Sequence, residues 1–306
     1  MEQDSPIAAL TPEQRQLHED NRRSWNAATL AHNSHKGDQG AALRAGVSTL
    51  FPEEIELCGE LAGRTLCHLQ CNAGQDTLSL ARLGARVTGV DISDEAVAAA
   101  MALSAASGIP GDFVRADVYD YLAAAPAGSF DIVFASYGAL GWLSDLPGWA
   151  RGVARLLRPG GRLAIMEFHP FLWVFDEGSW VPRFPYFRGR RLTWDDGIGD
   201  YVAASGEGLW PWGFQEGVQG FKNPHRCHEF PYGIGDLMTA VLGAGLAIDT
   251  FREYPYANGC RLFPTLVEER CSAALRATEQ PGRRFVMPEG MPELPMMYAL
   301  GAQKPG

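Results

Sequence analysis

From residue 64 to residue 168 short apolar runs alternate with stretches of helical character. Apolar runs at 64–70, 87–90, 112–116, 130–135 and 162–168 read as strands, and those at 87–90 and 112–116 run into Asp91 and Asp117. Between them, 76–83, 94–107 and 147–157 read as helices, closed by Gly84, by Gly108 with Pro110, and by an Arg-Pro-Gly-Gly turn. Glycine and proline end helices because one accepts left-handed dihedrals and the other cannot continue the ladder. Strands alternating with helices mean βαβ units, hence a parallel sheet covered on both faces. Strands buried on both sides read as continuous apolar runs, as VTGV and FDIVFA do.

Upstream, 11–32 is predicted helical, with Thr11 as cap and Pro12 in the first turn. Residues 33–49 read as a lid or loop, and 52–61 as a short acidic helix. After His169 the rhythm stops until about Tyr232. That stretch holds Trp173, Trp180, Trp194, Trp210 and Trp212, with Arg183, Arg188, Arg190 and Arg191. A structureless loop of such length is rare in a compact domain, so an ordered insertion is expected, antiparallel in part and covering an edge or mouth of the sheet. A helix at 235–243 and strands at 246–254 and 294–305 resume the pattern. The expectation is an α/β, Rossmann-like fold with a seven-stranded, mostly parallel sheet. Its parts are a helical lid (1–62), a first core segment (63–170), an aromatic insertion (171–232) and the rest of the core (233–306).

The 306 residues are 46% hydrophobic and 20% charged, an ordinary globular balance. The net charge of −10 repels nucleic acid, so none is expected as partner. No run approaches 18 consecutive apolar residues, so no membrane span is expected. The six cysteines form no C-x-x-C pair, and the first residues carry no apolar leader; free thiols in a cytoplasmic protein are the expectation.

Open parallel sheets bind ligands beyond the carboxyl ends of their strands. Asp91 ends the second strand, where a carboxylate can accept both hydroxyls of a ribose. An Asp there also suits the start of the helix at Ser93 and Asp94. The preceding turn, LHLQCNAGQD, places Gly74 where backbone can approach a ligand, and it lacks the G-x-G-x-x-G of a dinucleotide site. A nucleoside with an amino-acid tail fits that turn better than a pyrophosphate.

These residues resemble a known family. LHLQCNAGQDTLSLARLGARVTGVDIS, then ADVYD, then FDIVFASYGALGWLSDLPGWARGVARLLRPGGRLAIMEFHP, are similar in order to the motifs of class I S-adenosylmethionine-dependent methyltransferases, especially bacterial small-molecule enzymes of the methyltransferase-11 type. The resemblance implies S-adenosyl-L-methionine as cofactor and a small-molecule acceptor, in bacterial secondary metabolism. It implies that Gln70, Asn72 and Gly74 hold the methionine portion and that Asp91 holds the ribose. Ile92 would stack on adenine, Asp117 and Val118 would meet its amino edge, and Ser136 and Tyr137 would line the sulfonium. Two departures stand out. His68 occupies the place of the usual first-strand acid, and Gln70 and Asn72 replace two glycines. The acid that binds the methionine amine is therefore missing, and Gln70 or a residue of the N-terminal segment is expected to substitute.

Glu167 and His169 end the fifth strand where a base for the acceptor would stand. Each also suits a bland role, as a cap or as a histidine holding the Pro170 turn. In NPHRCHE, His225, Cys227 and His228 lack a second ligand pair, so no metal is expected. His225 and His228 are candidates for the acceptor pocket, with Trp173, Trp210, Trp212 and Tyr232. The aromatics and arginines of the insertion also suit a prenyl diphosphate methylated at carbon, its carbocation shielded by aromatic faces and deprotonated by Glu167. A nicotinamide oxidoreductase and a non-catalytic binding protein are the competing classes. A monomer or homodimer is expected.

Overall fold

The structure is a computed structural model that describes residues 8–176, 179–187, 191–269 and 283–306. In chain order the N-terminal helices are α1 (Pro12–Ser34), α2 (Gln39–Arg44) and α3 (Pro52–Cys58). The alternating segment follows as β1 (Thr65–Leu69), α4 (Gln75–Arg82), β2 (Arg86–Asp91), α5 (Asp94–Ser107), β3 (Asp112–Arg115), α6 (Val118–Ala124), β4 (Phe130–Ser136), α7 (Leu146–Leu156) and β5 (Leu157–Phe168). Then come β6 (Leu192–Trp194), α8 (Tyr201–Ser205), β7 (Cys227–Glu229), α9 (Ile234–Gly243) and β8 (Ala247–Tyr254). The chain closes with β9 (Tyr256–Asn258), β10 (Val267–Glu269), β11 (Arg284–Val286) and β12 (Met297–Gln303).

The main sheet has seven strands in the order β3-β2-β1-β4-β5-β12-β8. The pairs among β1 to β5 are parallel, and β12 runs antiparallel to both neighbours. The order reverses between β1 and β4, which opens a crevice at their carboxyl ends. One face is covered by α6, α7 and α9, whose helix α7 buries Leu146, Trp149, Ala150, Val153 and Leu156 at helical spacing. Each such large side chain contributes about 1.5–3 kcal/mol on leaving water. The other face packs Leu57, Leu66, Leu80, Ile132 and Phe134 under α3 and α4.

Three details depart from the sequence expectation. Residues 33–49 hold the short helix α2, capped by Asp38 on the Ala41 amide. Helix α6 forms after Asp117, which caps it through the Tyr119 amide; its few residues gave too short a periodic signal. Extended structure runs through the Arg-Pro-Gly-Gly turn from Leu157, because Gly160 and Gly161 exchange backbone bonds with Lys304 at 2.9 Å each.

The insertion is ordered where described. β6 and β7 pair antiparallel, and β9, β11 and β10 form a second small sheet. Helix α1 starts with a full capping box between Thr11 and Gln14. Its buried face is unusually polar. Asn21 exchanges two hydrogen bonds with the His228 backbone, and Ser24 accepts from the Ile198 amide. The insertion is thus fastened to α1 by specific bonds as well as by apolar contact. No helix among the described residues is long and apolar enough to cross a membrane. Cys58, Cys67, Cys71, Cys227 and Cys260 are buried free thiols, and Cys271 lies outside the described residues.

Candidate active site

A cavity of about 1460 Å³ opens at the carboxyl ends of β1, β2, β4 and β5. Helix α1 borders it through His18, Asn21 and Trp25, and the insertion through Trp194, Trp210 and Trp212. It is roomier than most single-ligand pockets.

At the end of β1, Gln70 and Asn72 have φ of 56° and 48°. Two side chains thus sit in the left-handed backbone that the missing glycines would adopt. Left-handed backbone costs a non-glycine residue on the order of 1–3 kcal/mol, and such residues gather at functional sites. Tyr137, at the end of β4, has φ of 38° and also lines the cavity. Gly74 does not line it. Its φ is 78°, and a Cβ there would lie 2.7 Å from the Ala100 Cβ. That glycine serves close packing of the turn against α5.

The Asn72 amide donates to Asp91 Oδ2 and the Ser93 amide to Oδ1, both at 2.8 Å. Burial pushes the Asp91 carboxyl up, and backbone donors at Ser93, Asn72 and Ile92 pull it back. The carboxylate lines the cavity, where it can accept from a ribose hydroxyl. Ile92, Val118 and Asp117 line the same end. Asp117 accepts from the Tyr119 amide at 2.9 Å and faces His18 Nδ1 at 2.6 Å. His18 reaches on to the Ser144 hydroxyl at 2.8 Å.

Nearer the middle, His68 lines the cavity beside Ser136. Its ring nitrogens lie 2.8 Å from the Thr77 hydroxyl and 3.3 Å from that of Ser136. Burial pushes its pKa down to about 3, so it is a neutral ring and no substitute for an acid. Gln70 donates to the Ala139 carbonyl at 2.7 Å, and its Oε1 is buried with no partner among the described residues. An orphaned acceptor beside an open cavity is a place for a ligand donor.

Glu167 lines the cavity, but its oxygens already accept from the backbone amides of Gly138, Leu140 and Phe168. It anchors the loop after β4. Burial raises its carboxyl while those donors lower it. His169 does not line the cavity. Its Nδ1 accepts from the Phe171 amide at 3.1 Å and its Nε2 lies 3.0 Å from Glu253. It holds the turn at Pro170.

Trp173, Trp210, Trp212 and Tyr232 line the cavity, whereas His225 and His228 do not. His225 is exposed, and His228 is buried between Thr193 and Asp20, joining β7 to α1. No group of three or more metal-ligating side chains occurs among the described residues. Arg183 pairs with Asp176 and Arg191 with Glu13; Arg188 and Arg190 lie outside the described residues.

Sequence reasoning missed a polar cluster behind the cavity-lining Tyr137 and Asn258. The Tyr137 hydroxyl accepts from Asn258 Nδ2 at 3.2 Å and hydrogen-bonds the buried Glu54. Burial and the nearby Asp76 push the Glu54 carboxyl well up. Next to it, Glu53 accepts from Tyr256 at 2.7 Å and pairs with Arg284. In sequence Glu53 and Glu54 read only as part of the short acidic helix at 52–61.

The residues fit an S-adenosyl nucleoside: a diol acceptor on β2, apolar neighbours for a base, an orphaned acceptor at the turn, and room for a second molecule. Comparison with known proteins agrees. The methyltransferase domain family matches residues 67–165. The chain is 40% identical over 104 residues to a ubiquinone biosynthesis O-methyltransferase of Xanthomonas euvesicatoria pv. vesicatoria (strain 85-10), covering 34% of this chain and 43% of that protein. It is 35% identical over 119 residues to the S-adenosyl-L-methionine-dependent Diels-Alderase iccD of Talaromyces variabilis, covering 37% of this chain and 40% of that protein. It thus spans about two fifths of the length of these curated relatives. In fold it is similar to an S-adenosylmethionine-dependent methyltransferase from Mesorhizobium loti, with a TM-score of 0.50, 21% identity, and coverage of 86% of this chain and 96% of the other. The match over residues 67–165 marks that segment as a methyltransferase domain, set in a fold similar to that of S-adenosylmethionine-dependent methyltransferases.

Proposed function

We propose that the chain moves a methyl group from S-adenosylmethionine to a small organic acceptor with a large apolar or aromatic body, in bacterial secondary metabolism in the cytoplasm. The observation that carries this reading is Asp91: a carboxylate at the switch point of the sheet, oriented by backbone amides and lining the cavity. When bound, the cofactor supplies an activated methyl on sulfur, so the protein's part is alignment and exclusion of water. Asp91 holds the ribose, Ile92 and Val118 flank the base, and the left-handed turn at Gln70 and Asn72 lets backbone pass close to the tail. Trp173, Trp210 and Trp212 supply flat apolar walls for the acceptor.

A hydroxyl oxygen is the favoured acceptor atom, since a relative 40% identical over 104 residues is named an O-methyltransferase. With Glu167 bonded by backbone amides and His169 turned away, the Tyr137 hydroxyl, held by Asn258 and Glu54 on a residue that lines the cavity, is the polar group proposed to meet the acceptor. Among the described residues Arg183 and Arg191 are paired with acids and Glu167 is bonded by backbone amides, so the O-methyl reading is preferred to a prenyl diphosphate deprotonated by Glu167.

The test is incubation with methyl-labelled S-adenosylmethionine and a panel of phenols and hydroxyquinones. The expected result is label in an extractable product with an equal amount of S-adenosylhomocysteine formed. A donor that binds yet yields no product with any of them would favour a non-catalytic binder. Binding of NAD in its place would favour an oxidoreductase.

A further inference from the structure

Two charged side chains, Asp76 and Lys36, stand at the turn end of the cavity. Asp76 stands in the first turn of α4, two residues after Gly74. Lys36 follows α1, in the segment of chain that folds over the site. Both line the cavity, and they act on each other electrostatically. Asp76 Oδ1 accepts the Thr49 hydroxyl at 2.5 Å, while Oδ2 takes no hydrogen bond from the described residues. The Lys36 ammonium likewise has no hydrogen-bonded partner among them. Burial pushes the Asp76 carboxyl up and brings Lys36 down to about 8. Each charge is therefore left poorly solvated, a costly arrangement unless something pairs with both.

The neighbours point the same way. Trp210 and Trp212 line the cavity with buried indole N–H groups that have no acceptor among the described residues. Their segment is bonded to that of Lys36, Gly37 donating to the Gly213 carbonyl at 3.0 Å and Gln215 to that of His35 at 2.9 Å. One end of the cavity thus offers an acid and an ammonium, with unpartnered polar atoms of Gln70, Trp210 and Trp212 buried in residues that line it. A zwitterionic α-amino acid presents the complement: three N–H donors beside a carboxylate.

The geometry points to Asp76 and Lys36 as the grip on the amino-acid tail of the S-adenosyl ligand, Asp76 accepting from its α-ammonium and Lys36 facing its α-carboxylate. On this assignment the work of the acid absent at His68 has moved one turn along the chain, onto α4, and the N-terminal segment supplies the opposite charge. The inference rests on the nucleoside reading above and is tested apart from it. S-Adenosylhomocysteine carries the tail, and 5′-methylthioadenosine carries the same nucleoside without it.

Both ligands are titrated calorimetrically into the full chain and into Asp76→Asn and Lys36→Met. The wild type should bind S-adenosylhomocysteine at least tenfold more tightly than methylthioadenosine. Each variant should lose at least tenfold for the first ligand and stay within threefold for the second, which also shows that it is folded. Unchanged affinity for S-adenosylhomocysteine in both variants, or equal affinity of the wild type for both ligands, overturns the assignment. If a variant binds neither ligand, the wild type is titrated with S-adenosylhomocysteine analogues lacking the amine or the carboxylate. Tenfold weakening by each deletion upholds the grip, and indifference to either overturns it. Failure of the wild type to bind any of these nucleosides removes the nucleoside reading itself.

Discussion

Asp91 faces two tasks at once. Its oxygens organise the turn through the Asn72 and Ser93 amides, and the residue also lines the cavity. Asp91→Ala should weaken S-adenosylmethionine binding by about 1.5–3 kcal/mol, the range for hydrogen bonds to a charged group; equal affinity by calorimetry would reject the ribose role. Gly74 has the opposite lesson. A methyl group there meets Ala100 at 2.7 Å on a backbone with φ of 78°. Gly74→Ala should cost about 1–3 kcal/mol in urea unfolding, and a neutral substitution would contradict this packing role. Glu54 titrates against stability. Burial and Asp76 raise its carboxyl well above its ordinary value, so the folded chain holds that proton longer than the unfolded chain. Its contribution is complete below the unfolded value of about 4.3 and is lost as pH rises through the raised one. Glu54→Gln, neutral throughout, should therefore gain melting temperature relative to wild type between pH 4.5 and pH 8. A difference that stays constant across that range would show that Glu54 ionises as freely as in the unfolded chain.

At the scale of elements, the βαβ rhythm was readable because buried parallel strands are continuous apolar runs and the intervening helices end at Gly84, Gly108 and the Arg-Pro-Gly-Gly turn. Helix α6 was not, since a short helix leaves too little periodicity and its cap, Asp117, had a ligand role in view. Nor was the manner in which α1 is held. Its buried Asn21 and Ser24 look in sequence like surface polar residues, and only their partners at His228 and Ile198, far along the chain, explain them. Because His18, Asn21 and Trp25 of α1 border the cavity, a bound nucleoside should shield that helix. Limited proteolysis between α1 and α3 should slow with S-adenosylhomocysteine present; cleavage at one rate with and without it would argue against α1 as a cover.

For the whole molecule, the seven-stranded order β3-β2-β1-β4-β5-β12-β8 gathers residues from five of its strands, α1 and the insertion around one cavity. Residues that follow strand ends, such as Gln70, Asp91 and Tyr137, were legible as site candidates because a parallel sheet has one ligand-binding edge. Glu167 and His169 shared that position, and their backbone and Glu253 partners could not be inferred from it. Asp76, Lys36 and Glu54 were hidden for a different reason: only the fold brings Asp76 and Lys36 to the cavity and sets Glu54 behind Tyr137. The most direct test is a crystal structure of the full chain soaked with S-adenosylhomocysteine. The account predicts both ribose hydroxyls within hydrogen-bond distance of the Asp91 carboxylate. A nucleoside seated elsewhere, or a crevice still empty at saturating ligand, would contradict it.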